Sequence, residues 1–168
     1  EGVVFSNRSR ATLLDKMLAL LEHISLPSFY FVADAYYAAS KVIHGLLENG
    51  NHLISRVKSN AIAYYPAEII KKLGRGRPLK YGSKIKLKTL FNSLGFQSAK
   101  SPVYGESCYI RFFSSDLFWR HAGVLVRFVT VVHPSRGKII LMSTDLSLPP
   151  IEIIRLYGLR FKIELSFK

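Results

Sequence analysis

Between Ser9 and Ile24, apolar residues recur at helical spacing: Leu13, Leu14, Met17, Leu20, Leu21 and Ile24 share one face, which predicts an amphipathic helix. Pro27 and Ser28 break the pattern. Phe29–Ala33 is then an unbroken apolar run, the mark of a central strand buried on both faces, and Asp34 ends it. A second helix is predicted over Tyr36–Glu48, closed by Asn49 and Gly50, a pair suited to a helix C-terminus. His52–Val57 reads as another strand. Helix, strand, helix, strand implies a parallel α/β sheet in the first third.

The pattern then changes. From Ile69 to Gly105 there is no acidic residue, while Gly, Pro, Lys and Arg accumulate. Beyond lie strand-like runs at Cys108–Phe113, Val124–Val132 and Lys138–Met142, with a turn at Pro134–Gly137 between the last two. A final helix is predicted from about Pro149–Pro150, since proline is tolerated in a first turn, through Lys168. No internal repeat or low-complexity tract is present.

That last helix has an unusual polar stripe. Tyr157, Arg160, Glu164 and Lys168 fall within roughly 80° of one another. Apolar ridges flank them: Ile151, Ile154, Phe161 and Leu165 on one side, Leu156, Ile163 and Phe167 on the other. Glu152, Arg155, Lys162 and Ser166 take the opposite, solvated face. A polar stripe between apolar ridges is expected to line a cleft. The plainer alternative is an Arg160–Glu164 pair one turn apart, worth about 0.2–0.5 kcal/mol. Asp34 carries two readings as well. An acid ending a strand at the carboxyl edge of an α/β sheet sits where ligand sites form, but Asp is also a favoured helix N-cap.

Composition adds a partner class. The 168 residues include 24 Lys and Arg against 11 Asp and Glu, a formal charge of +13. Such an excess points to a polyanion, nucleic acid first. The tract Lys71, Lys72, Arg75, Arg77, Lys80, Lys84, Lys86 and Lys88 is the densest cationic segment. Within it Gly74-Arg75-Gly76-Arg77-Pro78 is slim enough to enter a narrow minor groove; the alternative is a solvated loop supplying general charge. No apolar run reaches the ~18 residues that span a bilayer, so a membrane protein is excluded. The single cysteine, Cys108, excludes an internal disulfide framework, and the five histidines show no ligand spacing with it or with each other, so no zinc site is expected. Cys108 reads as core rather than nucleophile. The chain opens without Met and stops within a helical pattern, as an excerpt from a longer protein would.

Three segments together resemble the catalytic domain of DDE-type bacterial insertion-sequence transposases: Val32-Ala33-Asp34-Ala35-Tyr36-Tyr37, the basic Gly76-Arg77-Pro78-Leu79-Lys80-Tyr81-Gly82, and Ser143-Thr144-Asp145-Leu146 followed by Tyr157-x-x-Arg160-x-x-x-Glu164. The resemblance covers essentially the whole chain. It implies an α/β, ribonuclease H-like core, partial here, with residues 1–59 as its first part, 60–147 as a β-rich basic insertion, and 148–168 as the final catalytic helix. It also implies Asp34 and Glu164 as catalytic metal ligands, with Mg²⁺ or Mn²⁺ in a two-metal site. Tyr157 and Arg160 would contact DNA, together with Arg75, Arg77, Lys80 and Lys84, while Tyr37 and Arg56 would support the site. The implied partner is double-stranded DNA, as transposon ends and target, in the bacterial cytoplasm at the nucleoid. A homodimer of the full-length protein stays open. The family needs an earlier aspartate on an upstream strand. Only Asp15 precedes Asp34, in the middle of a predicted helix, so the first catalytic aspartate is expected before Glu1 and the fragment is expected to be inactive alone. The family's signature lysine would likewise fall past Lys168. Two other readings remain: a non-catalytic DNA-binding remnant of a mobile element, and a ribonuclease H-like nuclease without a role in transposition.

Overall fold

Most strands of this chain send alternate side chains into two separate cores, and that division determines where the candidate chemistry sits. A computed structural model describes residues 10–23, 27–67, 79–103 and 105–166, with the side chains of the last helix described as far as Arg160. In chain order the elements are helix α1 (Leu13–Glu22), strand β1 (Tyr30–Ala33), a 3₁₀ turn (Ala35–Tyr37), helix α2 (Ser40–Glu48), and strands β2 (His52–Val57), β3 (Ile62–Pro66) and β4 (Tyr81–Lys86). A second 3₁₀ turn (Leu87–Asn92) leads to β5 (Gln97–Lys100), β6 (Tyr109–Trp119), β7 (Val124–His133), β8 (Gly137–Ser143) and helix α3 (Pro150–Ser166).

The strands form one eight-stranded mixed sheet in the order β1-β2-β8-β7-β6-β3-β4, with β5 also paired to β6. β1 and β2 are parallel, with α2 as the crossover between them. The other described pairings are antiparallel, so the parallel arrangement expected in the first third holds for β1 and β2, while the sheet as a whole is mostly antiparallel. Short turns account for the β6–β7 and β7–β8 pairings, since a chain reversing within a few residues returns antiparallel.

The first core lies under α2, where Val42, Ile43 and Leu46 meet Leu53 and Val57 of β2, Met142 of β8 and Phe128 of β7. The second lies under α3, where Ile153, Ile154 and Tyr157 meet Ile54 of β2, Val129 and Val131 of β7 and Leu141 of β8. Burying each such aliphatic side chain stabilises the fold by about 1.5–3 kcal/mol. α1 packs on α2, and Gly45 permits the approach: an added Cβ there would lie 3.0 Å from Leu18 Cδ2.

Several expectations are corrected. β1 stands at one end of the strand order, not at the centre, and Tyr30 is 38% exposed. Its run is apolar because Phe31 packs toward the first core and Val32 toward the second. α1 begins after Thr12, which makes a capping box with Asp15; Asp15 is thus a first-turn residue, not a mid-helix one. The predicted helix over Tyr36–Glu48 is divided, and the indole of Trp119 donates to the Ala38 carbonyl in the gap between the two pieces. β6 runs well past Phe113, because Asp116 faces Arg127 across the β6–β7 ladder and its charge is met there. β3, β4 and β5 are strands that the apolar pattern does not predict. All three are short, β4 and β5 are largely polar, and Lys84 and Lys86 stand exposed on β4.

Candidate active site

β1 delivers Asp34 to the sheet edge where the parallel strands β1 and β2 both end. The Ser55 hydroxyl, fully buried opposite Ala33, donates to the Asp34 carbonyl at 2.9 Å, and the Tyr37 amide donates to that carbonyl at 2.9 Å. The backbone is therefore held while the side chain stays available. Although Asp34 occupies the N-cap position of the 3₁₀ turn, its side chain makes no capping bond. Its carboxylate reaches α3 instead: Arg160 Nη1 lies 2.7 Å from Oδ1, and Nη2 donates to Oδ2 at 2.9 Å. This is a two-pronged guanidinium–carboxylate pair, the geometry that best matches the two groups.

Arg160 also donates to the Tyr157 hydroxyl at 3.3 Å, and Tyr157 is buried among the second core's residues. Asp34 and the Tyr157–Arg160 turn of α3, with 126 positions between Asp34 and Arg160, thus meet at one place. The outer face of α3 carries an Arg155–Glu152 ion pair at 2.7 Å, in keeping with the solvated face expected there. Glu164 belongs to α3, one turn beyond Arg160 and about 6 Å farther along the axis. Its side chain lies outside the described residues, as do Lys168, Arg75 and Arg77.

A cleft of about 520 Å³ opens beside Asp34, lined by Arg56, Lys58, Ser59, Asn60 and Lys138 among others. Asp34 is the one carboxylate among the described residues that line it. Lys58 and Lys138 were not singled out from the sequence. Lys138 reaches the cleft only because β8 pairs with β2, a long-range pairing with no local signal. Tyr37 is a packing residue of the first core, edge-on to Phe31 at 5.7 Å. Lys80 is exposed but engaged, donating to the Gly123 carbonyl at 2.5 Å and lying over the Tyr81 and Phe118 rings. Lys84, Lys86 and Lys88 are exposed.

The other aspartates that could join such a site are held elsewhere. Asp15 is ion-paired to Lys41 and bonded in the α1 cap. Asp145 accepts from the Tyr30 hydroxyl at 2.5 Å, at the far end of β1 and roughly 13 Å along the strand from Asp34. Burial pushes the Asp145 carboxyl up, but bonds from Ser147 and Tyr30, with the nearby His52, bring it down to about 2.

One cluster escaped the spacing argument. Glu106, Cys108 and His133 bring ligand-type atoms within 4.8 Å of one another, because the β6–β7 ladder sets His133 beside the start of β6. His133 Nδ1 accepts the backbone N–H groups of Ser135 and Arg136, which places a neutral ring's proton on Nε2. Nε2 is the atom that meets both Glu106 Oε2 and Cys108 Sγ at 3.2 Å. The three side chains thus form a hydrogen-bond network whose ligand-type atoms also stand close enough to hold a metal ion, a grouping the sequence spacing did not predict. Burial pushes the Glu106 carboxyl up, yet bonds from Ser101 and His133 and the charge of Arg136 hold it below the ordinary range.

No curated protein and no solved structure matches this chain. A family model described as a transposase DDE domain matches residues 3–168, which brings the sheet edge at Asp34 and the helix carrying Arg160 and Glu164 within a single known pattern. The chain belongs to the transposase DDE domain family.

Proposed function

We propose that this chain forms part of the catalytic domain of a DDE transposase, in which Asp34 and Glu164 supply metal-binding carboxylates for cleavage and strand transfer of double-stranded DNA. The observation that carries the reading is the Asp34–Arg160 pair, which joins two chain segments of the family pattern at one edge of the sheet. A parallel β1–β2 pair joined through α2, with α3 on the opposite face, supports a ribonuclease H-like core. On this reading 60–147 is the insertion, although its strands continue the same sheet.

The donor chemistry at Asp34 fits a divalent ion. It is an oxygen donor, half exposed, open to a cleft and already matched by a cation in the form of the Arg160 guanidinium. Asp34 and Glu164 would hold Mg²⁺ or Mn²⁺, which when bound supplies Lewis acidity to the attacking oxygen and the leaving oxygen. The chain's own residues do the rest. Arg56, Lys58 and Lys138 attract and align phosphates along the cleft. Tyr157 fixes the guanidinium of Arg160, and Ser55 fixes the backbone of Asp34.

A two-ion centre needs a further shared carboxylate. With Asp15 and Asp145 held elsewhere, the described residues offer none beside Asp34. The purified 168-residue chain is therefore expected to bind duplex DNA but not to nick supercoiled plasmid with Mg²⁺ or Mn²⁺. In fluorescence anisotropy, the Arg56→Ala, Lys58→Ala variant should show a slope of log K against log salt shallower by about 0.9 for each phosphate it no longer neutralises. An unchanged slope would remove the cleft from the DNA path. Metal-dependent nicking that Glu164→Ala abolishes would show a third carboxylate within the chain.

A further inference from the structure

Asp34 offers both carboxylate oxygens to one guanidinium, at 2.7 and 2.9 Å. The lone pairs directed at that fork are the ones a divalent ion would take. The pair is partly open to solvent, with side chains 25% and 52% exposed, so it is a modest lock, not a buried one. Arg56, Lys58 and Lys138 line the same cleft, and their field opposes entry of a dication. A DNA phosphate reverses both effects. It offers the guanidinium fork an equally good bidentate partner, and its charge offsets the surrounding cations.

We infer that Arg160 is an internal counter-cation for Asp34, one that transfers to a DNA phosphate when a divalent ion loads, so that metal and DNA enter the cleft cooperatively. The inference rests on the reading of Asp34 as a metal ligand. Metal is then held weakly until substrate arrives, and by reciprocity metal tightens the hold on DNA by the same factor. Tyr157 defines one end of the movement, since its buried hydroxyl meets Arg160 in the Asp34-bound position.

The test is Mn²⁺ binding to the full chain, read from the electron paramagnetic resonance signal of free Mn²⁺, with and without a short duplex and corrected for Mn²⁺ held by the duplex alone. Arg160→Gln should tighten Mn²⁺ binding by about two- to fivefold in the DNA-free chain, and should reduce the gain that duplex brings to the native chain. Arg160→Lys keeps the charge without the fork and should fall between; it carries the test alone if Arg160→Gln does not fold. Mn²⁺ affinity equal to or weaker than native in these variants, with Asp34→Asn abolishing binding in each background, overturns the transfer and leaves Asp34 as a ligand. Binding indifferent to Asp34→Asn overturns the metal-ligand reading beneath it.

Discussion

At Asp145 several interactions act on one carboxyl group. Burial raises its pKa, while the Ser147 hydroxyl and amide, the Tyr30 hydroxyl and the nearby His52 lower it from 3.8 to about 2. Tyr30 responds in the opposite sense: its bond to Asp145, with burial and the carboxylate's charge, pushes the phenol up to about 12. A carboxyl depressed in the folded state contributes stability above its unfolded pKa, and that contribution is lost as pH falls through the folded value. The Asp145 contribution is therefore complete above about pH 4 and disappears toward pH 2. Thermal denaturation across that range should show the native chain losing on the order of 1 kcal/mol more than Asp145→Asn, once solvent screening is discounted. Equal losses would mean that the turn before α3 gains nothing from the charge. Asp34, at the other end of β1, had two balanced readings in the sequence. Its alternatives differ only in where the side chain points, and its partner lies 126 positions away.

α3 is placed by contacts on several sides. Arg127, paired with Asp116, also donates to the Leu148 carbonyl at 3.1 Å and so ties the start of the helix to the sheet. Gly158 allows the segment near Val103 to approach closely, since an added Cβ would lie 2.9 Å from Val103 Cγ2. Gly158→Ala gains at most about 1 kcal/mol of helix propensity, whereas overpacking typically costs about 1–3 kcal/mol. The variant should therefore be less stable by about 1 kcal/mol in urea denaturation; a more stable variant would show that Val103 yields freely. The same elements show what periodicity can and cannot deliver. β2, β7, β8 and the start of α3 were legible because strong apolar runs and proline mark them. Helical geometry alone fixes which residues of α3 share a face, and two of that face, Tyr157 and Arg160, meet at the Asp34 edge. β1's edge position, the second half of β6 and the strands β3–β5 were not legible, since each depends on neighbours supplied by distant sequence. Lys58 and Lys138 at the cleft and the Glu106–Cys108–His133 network were hidden for the same reason.

Across the whole molecule the +13 charge acts with one carboxylate, Asp34, among the described residues that line a cleft shared with Arg56, Lys58 and Lys138. Such a surface draws in a polyanion before any specific contact forms, and on the proposed reading the same field disfavours a dication until DNA arrives. Among the described residues, no helix is long and apolar enough to cross a membrane. On the proposed reading Asp34 binds the divalent ion at this edge. Anomalous diffraction from crystals of the chain grown with Mn²⁺ and duplex DNA tests it most directly. The expected result is a manganese peak within about 2–2.5 Å of an Asp34 carboxylate oxygen, with the Arg160 guanidinium moved onto a phosphate. A peak confined to the Glu106–Cys108–His133 network, with Arg160 still on Asp34, would contradict it.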